Sequence, residues 1–167
     1  GVGKSTTAVA LARHLAARGK RVALLDVDLC GPSAPLLLGG GANDAHTAVV
    51  NTSYGWLPPK DSVHGVAVMS VQLLLGAARD TAVAWRGPRK AHLIRRFLRD
   101  TYWGRLDYLL VDTPPGTSDE HLTTIGALVD ATHVDGVVLV TTPHALSLAT
   151  VRREFTFCAK MRVPVLG

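Results

Sequence analysis

The sequence is poor in cysteine, in aromatic residues and in long apolar runs, and each shortage excludes something. Two cysteines, Cys30 and Cys158, in 167 residues cannot build a disulfide framework, and they lack the Cys-x-x-Cys spacing of a zinc or redox pair. A reducing, cytoplasmic setting is therefore expected. Aromatics at 5% leave little material for platforms that stack nucleic-acid bases. No apolar run approaches the roughly 18 residues of a membrane-spanning helix, so no membrane partner is expected. Acidic residues are missing from Gly1 to Leu25, and Ser5, Thr6, Thr7, Arg13 and Arg18 lend that stretch the look of a transit peptide. The phosphate-loop frame described below accounts for the same residues better. An initiator Met is missing as well, and the chain closes on the strand-like Pro164-Val165-Leu166-Gly167. The expectation is a fragment truncated at both ends, lacking a leading strand and a C-terminal part.

What is present points to a packed core. Hydrophobic residues make up 47% against 19% charged, with 18 Lys+Arg over 13 Asp+Glu giving a formal +5. A chain needs low hydrophobicity and high net charge to stay unfolded, so this one collapses. One domain is expected at this length, since domains cluster at roughly 100–150 residues. Ala8, Leu11, Ala12 and Leu15 recur at helical spacing and Gly19 supplies a left-handed stop. Arg21 to Asp26 is an apolar run without alternation, as in a strand covered on both faces. Residues 31–63 read mostly as loop. Val66 to Val71 resumes strand character, 88–99 reads as a helix opened by Pro88, and Leu106 to Val111 as a strand that stops at Asp112. Thr117 with Glu120 fits a capping box for a further helix. Val137 to Thr142 reads as a fourth strand, followed by Pro143 and a helix to about Lys160. Strands alternating with helices predict an α/β fold, a mostly parallel sheet flanked by helices.

Gly1-Val2-Gly3-Lys4-Ser5-Thr6 at the mouth of a helix matches the end of a G-x-x-x-x-G-K-[ST] loop. Glycines let backbone N–H groups curl around phosphate oxygens, and Lys4 reaches the β- and γ-phosphates as a point charge. Gly1, Val2, Gly3, Lys4, Ser5 and Thr6 are thus nucleotide-binding candidates, with the Ser5 hydroxyl placed for Mg²⁺. Gly before a helix is also ordinary loop chemistry. Asp112 strengthens the reading, because a carboxylate ending a buried strand is costly unless it is paired or faces a metal. In P-loop NTPases a strand-end Asp holds the Mg²⁺ shell. The competing reading of Asp112 is a turn initiator before Pro114-Pro115-Gly116. Gly116 can offer its N–H to the γ-phosphate, which makes 112–120 a switch that senses hydrolysis. Asp26 and Asp28 end the strand after the first helix. Asp28 is the candidate for orienting the attacking water, beside Lys4 as the catalytic pair, and Asp26 for supporting the metal shell with Ser5 and Asp112. A plain strand-to-loop exit is the alternative for both. All these residues fall at the carboxyl ends of strands, where open α/β sheets bind ligands.

Three stretches together, Asp26-Val27-Asp28-Leu29-Cys30-Gly31-Pro32-Ser33, Trp85-Arg86-Gly87-Pro88-Arg89-Lys90 and Val111-Asp112-Thr113-Pro114-Pro115-Gly116-Thr117-Ser118-Asp119-Glu120-His121, resemble the Mrp/NBP family of P-loop ATPases, scaffolds in cytosolic iron–sulfur cluster assembly. Val151 to Cys158 resembles the smaller, short-N-terminus type of the eukaryotic pair. The resemblance fades at 39–63 and 128–135. It implies ATP with Mg²⁺, the Mrp-like branch of the dimeric P-loop ATPases, and a homodimer or a heterodimer with a larger paralogue. It also implies a [4Fe–4S] cluster in the complete protein, passed to apo iron–sulfur proteins of cytosol and nucleus. The family's Gly-Lys-Gly lead-in, whose extra Lys reaches the partner's nucleotide, and its bridging Cys-x-x-Cys both fall outside the sequence. Cys30 and Cys158 match family positions outside that motif. Gln72 stands where the family usually has Gly, and His144 where it has Gln.

Other readings stay open. A positioning or partition ATPase acting on membrane or DNA would share the phosphate loop, and a loop without its leading strand can be inert. Arg86, Arg89, Lys90, Arg95, Arg96 and Arg99 invite a nucleic-acid reading, against a solvated helix face or an acid-binding dimer face; nucleic acid is not the expected partner. His121, His133 and His144 lack ligand spacing, and Cys158 reads as a small core residue.

Overall fold

A computed structural model describes residues 2–28, 33–38, 48–75, 87–114 and 119–167. The chain enters helix α1 (Lys4–Ala17) through Gly3, whose φ of 86° is open to glycine at no steric cost. Val9 and Ala12 face inward, while Leu11, expected on the same side, is 38% exposed. The helix closes as predicted at Gly19 (φ 77°), with Gly19 N–H donating to the Ala16 carbonyl at 2.9 Å and Lys20 N–H to that of Leu15 at 3.2 Å.

Strand β1 (Val22–Asp26) is buried at every position, which is why it shows no alternation. It is the middle of a three-stranded parallel sheet, paired on one side with β4 (Ala67–Ser70) and on the other with β5 (Tyr108–Asp112). The Arg21 guanidinium and backbone N–H both donate to the Asp107 carboxylate, at 2.6 to 3.0 Å, and tie the amino ends of β1 and β5 together. Side chains alternate between two cores. Leu24 and Val68 turn to α1, joining Val9, Ala12 and Val22. Leu25 and Met69 turn to the other face and meet Ile94 and Phe97 of α4 (Gly87–Asp100) and Ala127 and Leu128 of α5 (Asp119–Ala131). Each fully buried Leu, Ile, Met or Phe contributes about 1.5–3 kcal/mol, so helices on both faces are what hold β1 in the middle.

The stretch expected to be loop contains short elements within its described part. Helix α2 (Ala34–Leu37) and an antiparallel hairpin of β2 (Val50–Thr52) and β3 (Gly55–Leu57) lie there. Propensity hides the hairpin, because its strands are short and largely exposed. Its fixing contacts are distant in sequence: Tyr102 N–H donates to the Trp56 carbonyl at 2.7 Å, and the Trp56 ring sits edge-on to Phe97 with centroids 6.0 Å apart. A Cβ on Gly55 would run into the Asp100 carbonyl. A short helix α3 (Val71–Leu75) follows β4.

The expected fourth strand at 137–142 is corrected in part. Val137 pairs in parallel with Val165, and the N–H groups of Val137, Leu139 and Leu166 donate to Pro164, Gly167 and Val137 at 2.8 Å each. Among the described residues this ladder does not join the three-stranded sheet. The predicted strand has its partner in the strand-like tail, and one bridge is too little for a full strand. Helix α6 (Ala145–Lys160) starts at His144, whose Nδ1 accepts the Leu146 N–H at 3.4 Å. That gives His144 a role as a helix cap. The Thr117 capping-box residue lies outside the described residues.

Candidate functional site

Parallel pairing puts Asp26 directly opposite Asp112 at the carboxyl ends of β1 and β5. Two carboxylates in adjacent register in a buried sheet repel unless something compensates. Lys4, on the first residue of α1, supplies that compensation on one side: its Nζ forms an ion pair with Asp112 Oδ1, with the Asp112 side chain 1% exposed. The other oxygen, Asp112 Oδ2, is buried and has no hydrogen-bond partner among the described residues. A buried acceptor without a donor costs about 1–3 kcal/mol, and such an atom beside a phosphate-type loop has the character of a ligand position.

Asp26 is settled differently. It is fully buried, and its carboxylate accepts backbone N–H groups from Asp28 at 3.1 Å, Ser33 at 2.9 Å and Ala34 at 3.1 Å. Burial raises its pKa to about 7; the Ala34, Asp28 and Ser33 N–H groups pull it back down, and the Asp112 charge pushes it further up. Asp26 is therefore the knot that draws the chain leaving β1 back to the start of α2. Asp28 is half-buried just beyond it.

The remaining predicted residues gather around the start of α1. Val2 and Ser5 are half-buried, and Gly3 and Thr6 are exposed. An added Cβ on Gly3 would meet nothing within 4 Å, so the demand for glycine here comes from the positive φ. Thr7 reinforces the turn, its N–H and its hydroxyl both donating to the Gly3 carbonyl at 2.9 Å. Lys4, Asp112, Asp26 and Asp28 are thus brought to one edge of the sheet, with Ser5 one residue beyond Lys4. Gly1, Gly116, Cys30 and Arg86, and the side chains of Arg89 and Lys90, lie outside the described residues.

Two residues have contacts here that the sequence does not announce. His121, buried at 5% exposure, has Nδ1 2.9 Å from the Pro114 carbonyl. A carbonyl only accepts, so Nδ1 carries the proton and donates. The ring pins the chain two residues after Asp112. Glu154 on α6 is the other: burial lifts its carboxyl above the usual range, against the pull of His121 and Lys4. His121 ends the Asp112–His121 run, so its position was visible though its partner was not. Glu154 had no signal beyond its place in the Val151–Cys158 stretch. Cys158 is buried, and burial followed by the Glu154 charge pushes its thiol up. That is an inert core thiol, as expected.

The donor set fits a hard divalent cation. Mg²⁺ takes one or two protein oxygens and fills its remaining positions with water and phosphate, and the Ser5 hydroxyl and Asp112 Oδ2, which has no partner among the described residues, are oxygens of that kind. Among the described residues no cluster of three or more His, Cys, Asp or Glu forms an all-protein cage. Nor is any described helix long and apolar enough to cross a membrane.

Comparison with known proteins gives the chain its relatives. A cytosolic Fe-S cluster assembly factor NUBP2 homolog from Trichoplax adhaerens is 50% identical over 168 residues, covering 100% of this chain and 61% of that protein. The nucleotide-binding protein from Archaeoglobus fulgidus, solved in complex with ADP, superposes with a TM-score of 0.81 at 39% identity, over 100% of this chain and 60% of its own. The cell division ATPase MinD of Pyrococcus furiosus shares the fold, with a TM-score of 0.59 at 23% identity over 100% of this chain and 65% of its own. The chain thus spans about six-tenths of the length of these relatives. The family described as ParA, NUBPL iron-transfer P-loop NTPase, matches residues 1–167. With that family model matched over its whole length, the chain belongs to the Mrp/NBP P-loop NTPases.

Proposed function

We propose that this chain is the nucleotide-binding part of an ATP-hydrolysing scaffold that assembles [4Fe–4S] clusters and passes them to apo iron–sulfur proteins of cytosol and nucleus. The observation that carries the reading is the Lys4–Asp112 ion pair beside an unpartnered Asp112 Oδ2. It is supported by the relatives named as cytosolic Fe-S cluster assembly factors and by the ADP complex of the Archaeoglobus protein.

In this reading Lys4 leaves Asp112 for the β- and γ-phosphate oxygens when ATP enters, and the N–H groups of Val2, Gly3 and Thr6, with that of Gly1, wrap the phosphates. Ser5 and Asp112 would hold Mg²⁺, which would neutralise developing phosphate charge. Asp26 stands one step behind them. Its two oxygens accept three backbone N–H groups, and it supports the metal shell by fixing the loop and by its charge. Asp28 orients the attacking water. Gly116 offers its N–H to the γ-phosphate, and His121 anchors that segment through Pro114. The chain works as a single domain within a homodimer or a heterodimer with a larger paralogue, and the cluster is cargo held by cysteines outside this sequence.

Lys4→Ala in the full-length protein tests the reading. Nucleotide-dependent delivery of a cluster to an apoprotein should be lost, and delivery unchanged by the substitution would overturn it.

A further inference from the structure

The arginines of α4 take no part in the phosphate site. Asp112 ends β5 at the nucleotide edge, whereas α4 ends at the opposite side of the sheet, where the chain passes Thr101 and Trp103 and enters β5 at Tyr108. A groove of about 560 Å³ opens there between the ends of α4 and α5. Leu98, Leu109 and Trp103 give it apolar walls, and Arg95, Arg99 and Asp130 its charged rim.

The guanidinium groups are held in place before anything binds. Arg96 donates to Asp100 at 2.9 Å and lies 4.6 Å above the centre of the Trp56 ring. Arg99 donates to the same carboxylate at 2.6 and 3.3 Å, yet its side chain is 76% exposed. Arg95 makes one long contact, 3.3 Å, to Asp130. A guanidinium carries five donors, so most of those on Arg95 and Arg99 are free of these contacts. The Trp103 indole N–H is buried without an acceptor among the described residues. The groove therefore combines surplus arginine donors with apolar surface, and the carboxylate that lines it, Asp130, already faces Arg95.

We propose that this groove docks an acidic peptide segment of a partner protein, setting an apolar side chain against Leu98 and Leu109 while flanking carboxylates pair with Arg95 and Arg99. Arg and Trp are the residues on which such interfaces concentrate their binding energy, and Arg pairs carboxylates through two parallel bonds. A nucleic-acid backbone fits less well. It needs a row of cations tracking successive phosphates, and here Asp100 and Asp130 interrupt the row.

The test is fluorescence anisotropy on the full-length protein with a labelled peptide, Asp-Glu-Leu-Asp-Glu-Phe-Asp, its counterpart with every acid replaced by the amide, and a short single-stranded DNA. The acidic peptide should bind and the amide peptide should not. Arg95→Gln with Arg99→Gln should weaken binding about tenfold or more, and Trp103→Phe should weaken it less, with ATP affinity unchanged as the measure of an intact fold. If the double variant loses ATP affinity too, Arg99→Gln alone, which leaves the Arg95–Asp130 contact in place, decides the matter in the same way. No peptide binding, equal binding of the amide peptide, unchanged binding by the variants, or DNA bound more tightly than the peptide through these arginines would each overturn the proposal.

Discussion

Asp26 and Asp112 face each other in register across two parallel strands, and their charges are met by opposite means. Asp112 has the Lys4 ammonium on one oxygen and, among the described residues, no hydrogen-bond partner on the other. Asp26 has three backbone N–H groups and no cation among the described residues. The first arrangement is one a ligand can exchange, and the second is not.

Removing Lys4 should expose that difference as stability. Lys4→Met leaves a buried carboxylate unpaired, and breaking a buried pair costs about 3–5 kcal/mol. Lys4 is 27% exposed, which places the loss toward the lower end. Lys4→Met with Asp112→Asn should recover most of it, because no charge remains to be paired. Urea midpoints of the nucleotide-free protein check this, and an additive pair of losses would refute it.

Asp26 predicts a pH signature. Its folded pKa of about 7 lies above the unfolded value of 3.8, so the folded state binds the proton more tightly. The sign follows: its contribution to stability is full below the unfolded pKa and is lost as pH rises through about 7. Asp26→Asn should flatten the stability profile between about pH 4 and pH 7 relative to the parent, while lowering it overall, since the amide cannot accept all three N–H groups. Equal pH slopes for the two proteins would rule the assignment out.

His121→Ala frees the Pro114 carbonyl and with it the segment after Asp112. ATP affinity should hold while turnover falls about tenfold, as expected when a reacting-side group is misplaced by a fraction of an ångström. A rise in KM with kcat unchanged would instead make His121 a plain binding residue. Measured kcat and KM for the full-length protein separate the two.

Gly55→Ala should be among the most damaging changes outside the site. Its φ of 118° and the Asp100 carbonyl both oppose a side chain, and overpacking of this kind costs about 1–3 kcal/mol. A shift in thermal midpoint with ATP affinity intact is the expected result; no shift would mean the hairpin is not fixed to α4.

The parts of this fold legible in the sequence were those carried by local pattern. The apolar run at Val22–Leu25, the α1 spacing with its Gly19 stop, and the Gly-Lys-Ser loop each declare themselves within a few residues. Motif chemistry assigns Lys4 and Asp112 to one site across 108 positions, which periodicity alone does not supply, and the ion pair between them is seen only in the structure. What stayed hidden depends on contacts between distant residues. The β2–β3 hairpin is held by Trp56, Phe97 and Tyr102. The fold-back of the Ser33 and Ala34 N–H groups onto Asp26 is likewise invisible in the sequence. His121 lacks ligand spacing, yet its partner is a backbone carbonyl, which spacing rules do not count.

The most direct measurement is ATP titrated calorimetrically into the full-length protein with and without Mg²⁺, comparing the parent with Asp112→Asn. If the unpartnered Asp112 Oδ2 is the metal ligand, Mg²⁺ should tighten ATP about tenfold or more in the parent and far less in the variant. An equal Mg²⁺ effect in both would contradict the central claim and leave Asp112 as no more than the resting partner of Lys4.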